Sequence, residues 1–214
     1  MKKADWKKDE KEFYLPKAGP RLVSLPAFGF FVIDGEGNPN GEDFAARVAA
    51  LYSLAYGVRM SSRAGIAPQG FAEYAVYPLE GLWDLREEAK RSGMGMRDKD
   101  DLAYSLMIRQ PGFVDEAFAS LVIGRANRKN PGEILAGARF ERIEEGECVQ
   151  MIHVGSYDDE PASFALMEAF AGAAGLLRSS LRHREIYLSD PRKTAPETRK
   201  TLLRFQVSRK AGRA

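Results

Sequence analysis

The segment "HREIYLSD", residues 183–190, reads as a strand with a carboxylate at its centre. Glutamate is disfavoured in mid-strand, so Glu185 asks for a reason. Side chains alternate along a strand. Ile186 and Leu188 therefore share one face, expected to pack under a helix, and Glu185 and Tyr187 share the other. If that second face lines a pocket, Glu185 is a partly desolvated carboxylate beside an aromatic ring. It could neutralise a cationic ligand or serve as a general base with a raised pKa. If the face is an outer one, Glu185 is simply solvated.

Other residues could share that chemistry. Glu160 lies in "GSYDDEPASF", just before a helix start; its plain reading is a carboxylate favouring the helix dipole. Tyr157 in the same loop could donate its hydroxyl to a ligand or to Glu160. Trp83 in "LEGLWDL" offers a flat wall and cation–π attraction, or it is a core residue. Tyr77 and Tyr104 are further wall candidates. Tyr104 alternates with Leu102, Leu106 and Ile108, which favours the core. Tyr74 is weaker, and Met107 could supply an adaptable surface.

Some chemistries are disfavoured. Two distant histidines, His153 and His183, with a single cysteine make a usual zinc site improbable. Cys148 reads as an inert thiol, and one cysteine permits no internal disulfide. No GxSxG elbow occurs. Arg178, Arg182, His183 and Arg184 could touch phosphate, or form a solvated loop. The stretch "VIDGEGNPNG", residues 32–41, alternates acids and amides like a calcium loop. Counted from Asp34, the sixth and twelfth positions are Pro39 and Ala45, which are wrong for one. Its glycines are not spaced for phosphate. It reads as a strand-to-helix connector, with Asn40 or Asp43 capping the helix.

The elements that must position these residues follow the hydrophobic periodicity. "RLVSLPAFGFFVID" reads as a strand region broken near Pro26 and Gly29, and "EDFAARVAALYSLAYGVRMSS" as a helix. "FAEYAVYPLEGLWDL" reads as two strands turning at Pro78 to Gly81, and "DLAYSLMIRQP" as another strand. "VDEAFASLVIGRANRK" reads as a helix. A second cycle follows: strand "GECVQMIHVGSY", helix "EPASFALMEAFAGAAGLL", then strands "HREIYLSD" and "KTLLRFQVSR". Gly35, Phe44, Ala45 and Ala49 recur 120 residues on as Gly155, Phe164, Ala165 and Ala169. A duplicated βαββ unit is the expectation, with a cleft along a pseudo-twofold axis.

With 32 basic and 30 acidic residues in 214, non-specific nucleic-acid binding is not the expected task. No apolar run is long enough to span a membrane, and the charged N-terminus is no signal peptide, so a cytoplasmic protein is expected.

"FFVIDGEGNPNGEDF" resembles the GyrI-like small-molecule-binding proteins, in their free-standing subgroup without a DNA-binding domain. "DWKKDEKEFYLPK", "VYPLEGLWDL", "YSLMIRQPGFV", "MIHVGSYDDEPASF" and "EIYLSDPRKTAPETRKTLLRF" match in order along nearly the whole chain. The resemblance implies an α+β fold, a single domain over 1–214 made of duplicated βαββ (SHS2-type) modules. They are expected over about 20–110 and 136–209, with a linking helix over about 113–129 and a central ligand pocket. It implies flat, lipophilic, often cationic ligands, a functional carboxylate in the second module, and no cofactor or metal. Some members resemble cyclopropanoid cyclopropyl hydrolases, which open the cyclopropane ring of DNA-alkylating natural products. Glu185, with Glu160, would then activate water, and Trp83, Tyr77, Tyr104, Tyr157, Tyr187 and Met107 would hold the ligand. Non-catalytic multidrug binding and a gyrase-modulating interaction module are the alternatives.

Overall fold

In the computed structural model, residues 4–93 and 98–209 are described. The chain opens with two short helical turns, α1 (Trp6–Asp9) and α2 (Lys11–Tyr14), then β1 (Arg21–Leu25) and β2 (Phe28–Glu36). Next come α3 (Glu42–Arg59), β3 (Leu79–Leu85), α4 (Glu87–Ser92), β4 (Leu102–Gln110), α5 (Glu116–Lys129), α6 (Glu133–Ala136) and β5 (Arg139–Ile143). The remainder holds β6 (Gly146–Val154), α7 (Glu160–Ala173), β7 (Leu176–Arg178), β8 (His183–Tyr187) and β9 (Lys200–Arg209). The fold is mixed α+β, and the ladders described below are antiparallel. The chain forms two units. The first is Met1–Asp5 with Phe28–Ile143, and the second is Trp6–Ala27 with Glu144–Ala214.

In the first unit the strands lie in the order β3-β4-β2-β5. Trp83 stands opposite Tyr104, and Tyr104 opposite Gly35. The α3 helix buries Leu51, Leu54, Ala55 and Val58. Burying each of the larger side chains stabilises the unit by about 1.5–3 kcal/mol. From the first turn of α3, Phe44 stacks on Trp83 (6.0 Å between ring centres) and meets the edge of Tyr104 (5.2 Å). Gly35 lies under the Tyr104 ring, where a Cβ would come within 2.7 Å of Cζ. Phe30, Val32 and Met107 pack together on the opposite face with Phe28, Leu82 and Ile143.

In the second unit the order is β1-β6-β9-β8, and β7 pairs with the far end of β9. The α7 helix covers the face that carries Val149, Met151, Leu203 and Phe205. The other face is also buried, but by polar groups. Arg184 and Arg204 both bind Glu145 (2.8 and 2.9 Å), and Arg204 also donates to Gln150. The carbonyls of Glu12 and Phe13 accept from Gln150 and Arg204. Burial pushes the Glu145 carboxyl up, but the two guanidinium groups outweigh it and hold the group below its ordinary range. In the first unit β4 lies between β2 and β3, and in the second β9 lies between β6 and β8; the second unit has an additional strand, β7, directly after its helix.

The structure corrects several readings. "FAEYAVYPLEGLWDL" holds one strand, β3, and Pro78 to Gly81 is not a turn. Residues 71–78 form no ladder beyond a single bridge between Tyr74 and Ala4. They are held instead by Arg59 donating to the Tyr74 carbonyl and by the Tyr74 hydroxyl on Ala55. Neither Asn40 nor Asp43 caps α3. Gly41 is the N-cap and no side chain caps it, while Asp43 binds Arg47 (2.8 Å). Asn38 takes the Asn40 N–H (3.0 Å), and Asp34 is engaged by Ser105 and Arg139 (both 2.7 Å). The 32–41 connector is thus cross-braced within its own unit. No helix among the described residues is long and apolar enough to cross a membrane.

Candidate active site in the second unit

The register of β8 against β9 decides which way its side chains face. Glu185 stands opposite Leu203, a member of the cluster under α7. His183, Glu185 and Tyr187 therefore point to the helix-covered face, and Arg184 and Ile186 point away. This reverses the expectation that Ile186 packs under the helix. Hydrophobicity could not choose between the faces because both are buried, one by apolar packing and one by the Arg184–Glu145 pair. The Phe164 ring of α7 meets the edge of His183, 4.8 Å between centres.

At the head of α7 a short 3-10 turn, Tyr157–Asp159, runs into Glu160, and Pro161 fits the first helical turn, where no N–H is needed. Glu160 is only 5% exposed and hydrogen-bonds to Glu185. Its Oε1 is buried with no partner. Burial, then the Glu185 charge and hydrogen bond, then Asp158 push the Glu160 carboxyl up to about 10. Two carboxylates cannot share so dry a space, so Glu160 keeps its proton and donates to Glu185. The helix-dipole role read for Glu160 needs an anion, and burial beside the Glu185 carboxylate opposes one.

Glu185 is held from two more sides. Its Oε2 accepts the Tyr187 hydroxyl at 2.9 Å, and its Oε1 lies 3.3 Å from His183 Nε2. Tyr157 packs edge-on against Tyr187, 6.0 Å between ring centres, and the Arg199 guanidinium lies 5.5 Å from the Tyr157 ring centre. Burial raises the Tyr157 hydroxyl above its ordinary range against the pull of Arg199, and Glu185 and Glu160 add to the rise. The phenol is a neutral donor near pH 7.

Of the residues singled out in the sequence, Glu160, Glu185, Tyr157 and Tyr187 come together here. Trp83 and Tyr104 sit in the α3 packing of the first unit. Tyr77 lies beneath Arg109, 4.7 Å from guanidinium to ring centre, and Met107 is 1% exposed beside Phe30 and Val32. Sequence reasoning missed Arg199, and it read His183 within a basic cluster that could touch phosphate or form a solvated loop. That cluster is dispersed. Arg184 is buried on Glu145, and Arg178 binds Glu168 (2.8 Å) and stacks over Phe164 and Phe205. The two-residue step from His183 to Glu185 was the available signal, since it puts both on one strand face. Cys148 is buried, and burial with Glu145 nearby pushes its thiol up to about 12, so it is inert.

An α+β unit with a buried carboxyl pair and aromatic neighbours suits a small-molecule site. The family model for the GyrI-like small molecule binding domain matches residues 19–208, and the chain belongs to that family. An uncharacterized conserved protein from Listeria innocua is similar to it, with 38% identity and a TM-score of 0.87 over 96% of this chain and 100% of that one. Two structures described as hydrolases from Listeria innocua are similar at 37% and 39% identity, with TM-scores of 0.85 and 0.86. They cover 96% and 97% of this chain and 100% of their own. No curated protein matches the chain.

Proposed function

We propose that the protein is a hydrolase that adds water to flat, lipophilic electrophiles bearing a strained cyclopropane, and so removes genotoxic compounds. The observation that carries this reading is the buried, hydrogen-bonded Glu160–Glu185 pair, in which burial and the neighbouring carboxylate push the Glu160 carboxyl up. General acid–base chemistry needs such a split between neighbouring groups. Glu185 takes a proton from water as the oxygen attacks the ring carbon. The carbon–carbon bond breaks, and its electron pair moves onto the conjugated carbonyl. Tyr157, a neutral donor, stabilises that oxyanion. The proton taken by Glu185 returns to it, so the product is substrate plus one water. Glu160 holds Glu185 in place through their hydrogen bond, and Tyr187 does the same through Glu185 Oε2.

The similarity of the Listeria innocua hydrolases along the full chain supports this reading. The shared pairing, β4 between β2 and β3 and β9 between β6 and β8, supports descent from a duplicated module. Trp83, Tyr77, Tyr104 and Met107 enter the proposal as ligand-holding residues of the first unit, to be tested by substitution. A second reading is a binder without chemistry. A carboxyl pair that shares one proton leaves one negative charge among aromatic rings, which suits a flat cation.

One assay separates the two. The protein and Glu185→Gln are incubated with a cyclopropane-bearing DNA alkylator and followed by mass spectrometry. A hydrolase yields a product heavier by one water, and the variant loses about 100-fold or more in rate. No turnover by the unaltered protein, with tight binding of a cationic dye that the variant loses, makes it a binder.

A further inference from the structure

The arc from Ser156 to Ser163 carries both Tyr157 and Glu160, and a single buried ring holds both its ends. His153 lies in β6, opposite Thr201, and is 5% exposed. Its Nε2 is 2.9 Å from the Ser156 carbonyl oxygen, and its Nδ1 is 2.9 Å from the Ser163 hydroxyl. A carbonyl only accepts, so Nε2 carries the hydrogen and donates, and Nδ1 accepts a hydrogen bond from the Ser163 hydroxyl. One bond thus ties the loop before the helix and the other ties the helix itself. Gly155 completes the clasp. Its φ of +147° suits glycine, and a Cβ there would come 3.2 Å from His153 Nε2. Its N–H donates to the Arg199 carbonyl at 3.0 Å, which fixes the loop from the side of the residue that stacks on Tyr157.

Ser163 in this pair is no nucleophile, being buried in the first turns of α7. The serine and histidine act as a strut between sheet and helix. We propose that His153 is a positioning residue: it touches no ligand, and by pinning the loop at Ser156 and the helix at Ser163 it sets Glu160 against Glu185. The inference rests on the carboxyl pair being the working site. Without the ring, the helix start can rotate, Glu160 can turn its unpartnered oxygen to water, and the pair opens. Small displacements of this kind cost about 100-fold in rate.

The test reads Glu160 directly, by carbon NMR titration of glutamate-labelled protein, alongside steady-state kinetics. In the unaltered protein Glu160 is expected to titrate far above ordinary carboxylates. In His153→Ala its titration falls towards the ordinary range, and kcat drops about 100-fold with little change in KM. His153→Gln, whose amide can still donate to the Ser156 carbonyl, recovers part of both. A folded His153→Ala in which Glu160 titrates as before overturns the inference. If His153→Ala does not fold, Ser163→Ala removes one tether alone; a shift in the same direction supports the strut, and no shift overturns it. An ordinary titration of Glu160 in the unaltered protein sinks the carboxyl-pair reading itself, and this inference with it.

Discussion

Replacing Glu160 by glutamine should make the protein more stable, by an amount that grows with pH. The native carboxyl holds its proton to about 10, whereas the unfolded chain releases it near 4.5. Between those values the unfolded state binds fewer protons than the native one, so stability falls as pH rises. The slope is at most about 1.4 kcal/mol for each pH unit. At pH 7 the native state has therefore lost up to about 3 kcal/mol relative to acid conditions, a sizeable part of a typical 5–15 kcal/mol. Glutamine has nearly the same shape, does not titrate, and can still donate an N–H to Glu185. Urea unfolding of both proteins at several values between about pH 5 and pH 9 measures the difference. The curves should converge at the acid end and separate towards the alkaline end, with unchanged m values. Parallel curves across the range would mean that Glu160 ionises as an ordinary carboxylate, and the argument for a proton-sharing pair would fall.

Tyr187→Phe removes the 2.9 Å hydrogen bond to Glu185 and should cost about 1 kcal/mol in denaturant unfolding, with a fall in turnover. Glu145→Ala strands two buried guanidinium groups and should lose about 3–5 kcal/mol, read from the urea midpoint. Because the Glu145 carboxyl is held below its ordinary range, its stabilisation is present above that range and is lost as pH falls; Glu145→Gln should blunt the acid unfolding seen by near-ultraviolet circular dichroism. Gly35→Ala drives a methyl into the Tyr104 ring and should lower stability by about 1–3 kcal/mol in a thermal melt.

Long periodic segments were legible in the sequence because their own pattern specifies them. The α3, α5 and α7 helices and strands β4, β6, β8 and β9 fall where periodicity puts them. The β5 strand was missed: "RFERI" is short and charged, and it is a strand only because β2 pairs with it. The separate life of β1 was missed for the same reason. Its partner, β6, lies more than a hundred residues along, and nothing local to Arg21–Leu25 announces it. At the site, residue types and alternation marked Glu185 and Tyr187 as neighbours. The unusual ionisation falls on Glu160, and that was not legible. It depends on how deeply the start of α7 is buried and on which carboxyl the sheet presents to it. His153 left no trace as a strut, since Ser156 and Ser163 are ordinary serines until the fold closes them on one ring.

The exchange at Pro26 and Ala27 bears on how the chain can be made and cut. The second unit takes its first strand from one end of the chain and the rest from the other, with Arg21 opposite Gln150 and Leu25 opposite Gly146. During synthesis β2 to β5 all leave the ribosome before β6 is made. The Trp6–Ala27 segment must wait, unpaired, until β6 has been made. Dividing the gene near its middle would therefore yield no complete unit. The β1–β6 ladder joins stretches more than a hundred residues apart, and both must be present for it to form.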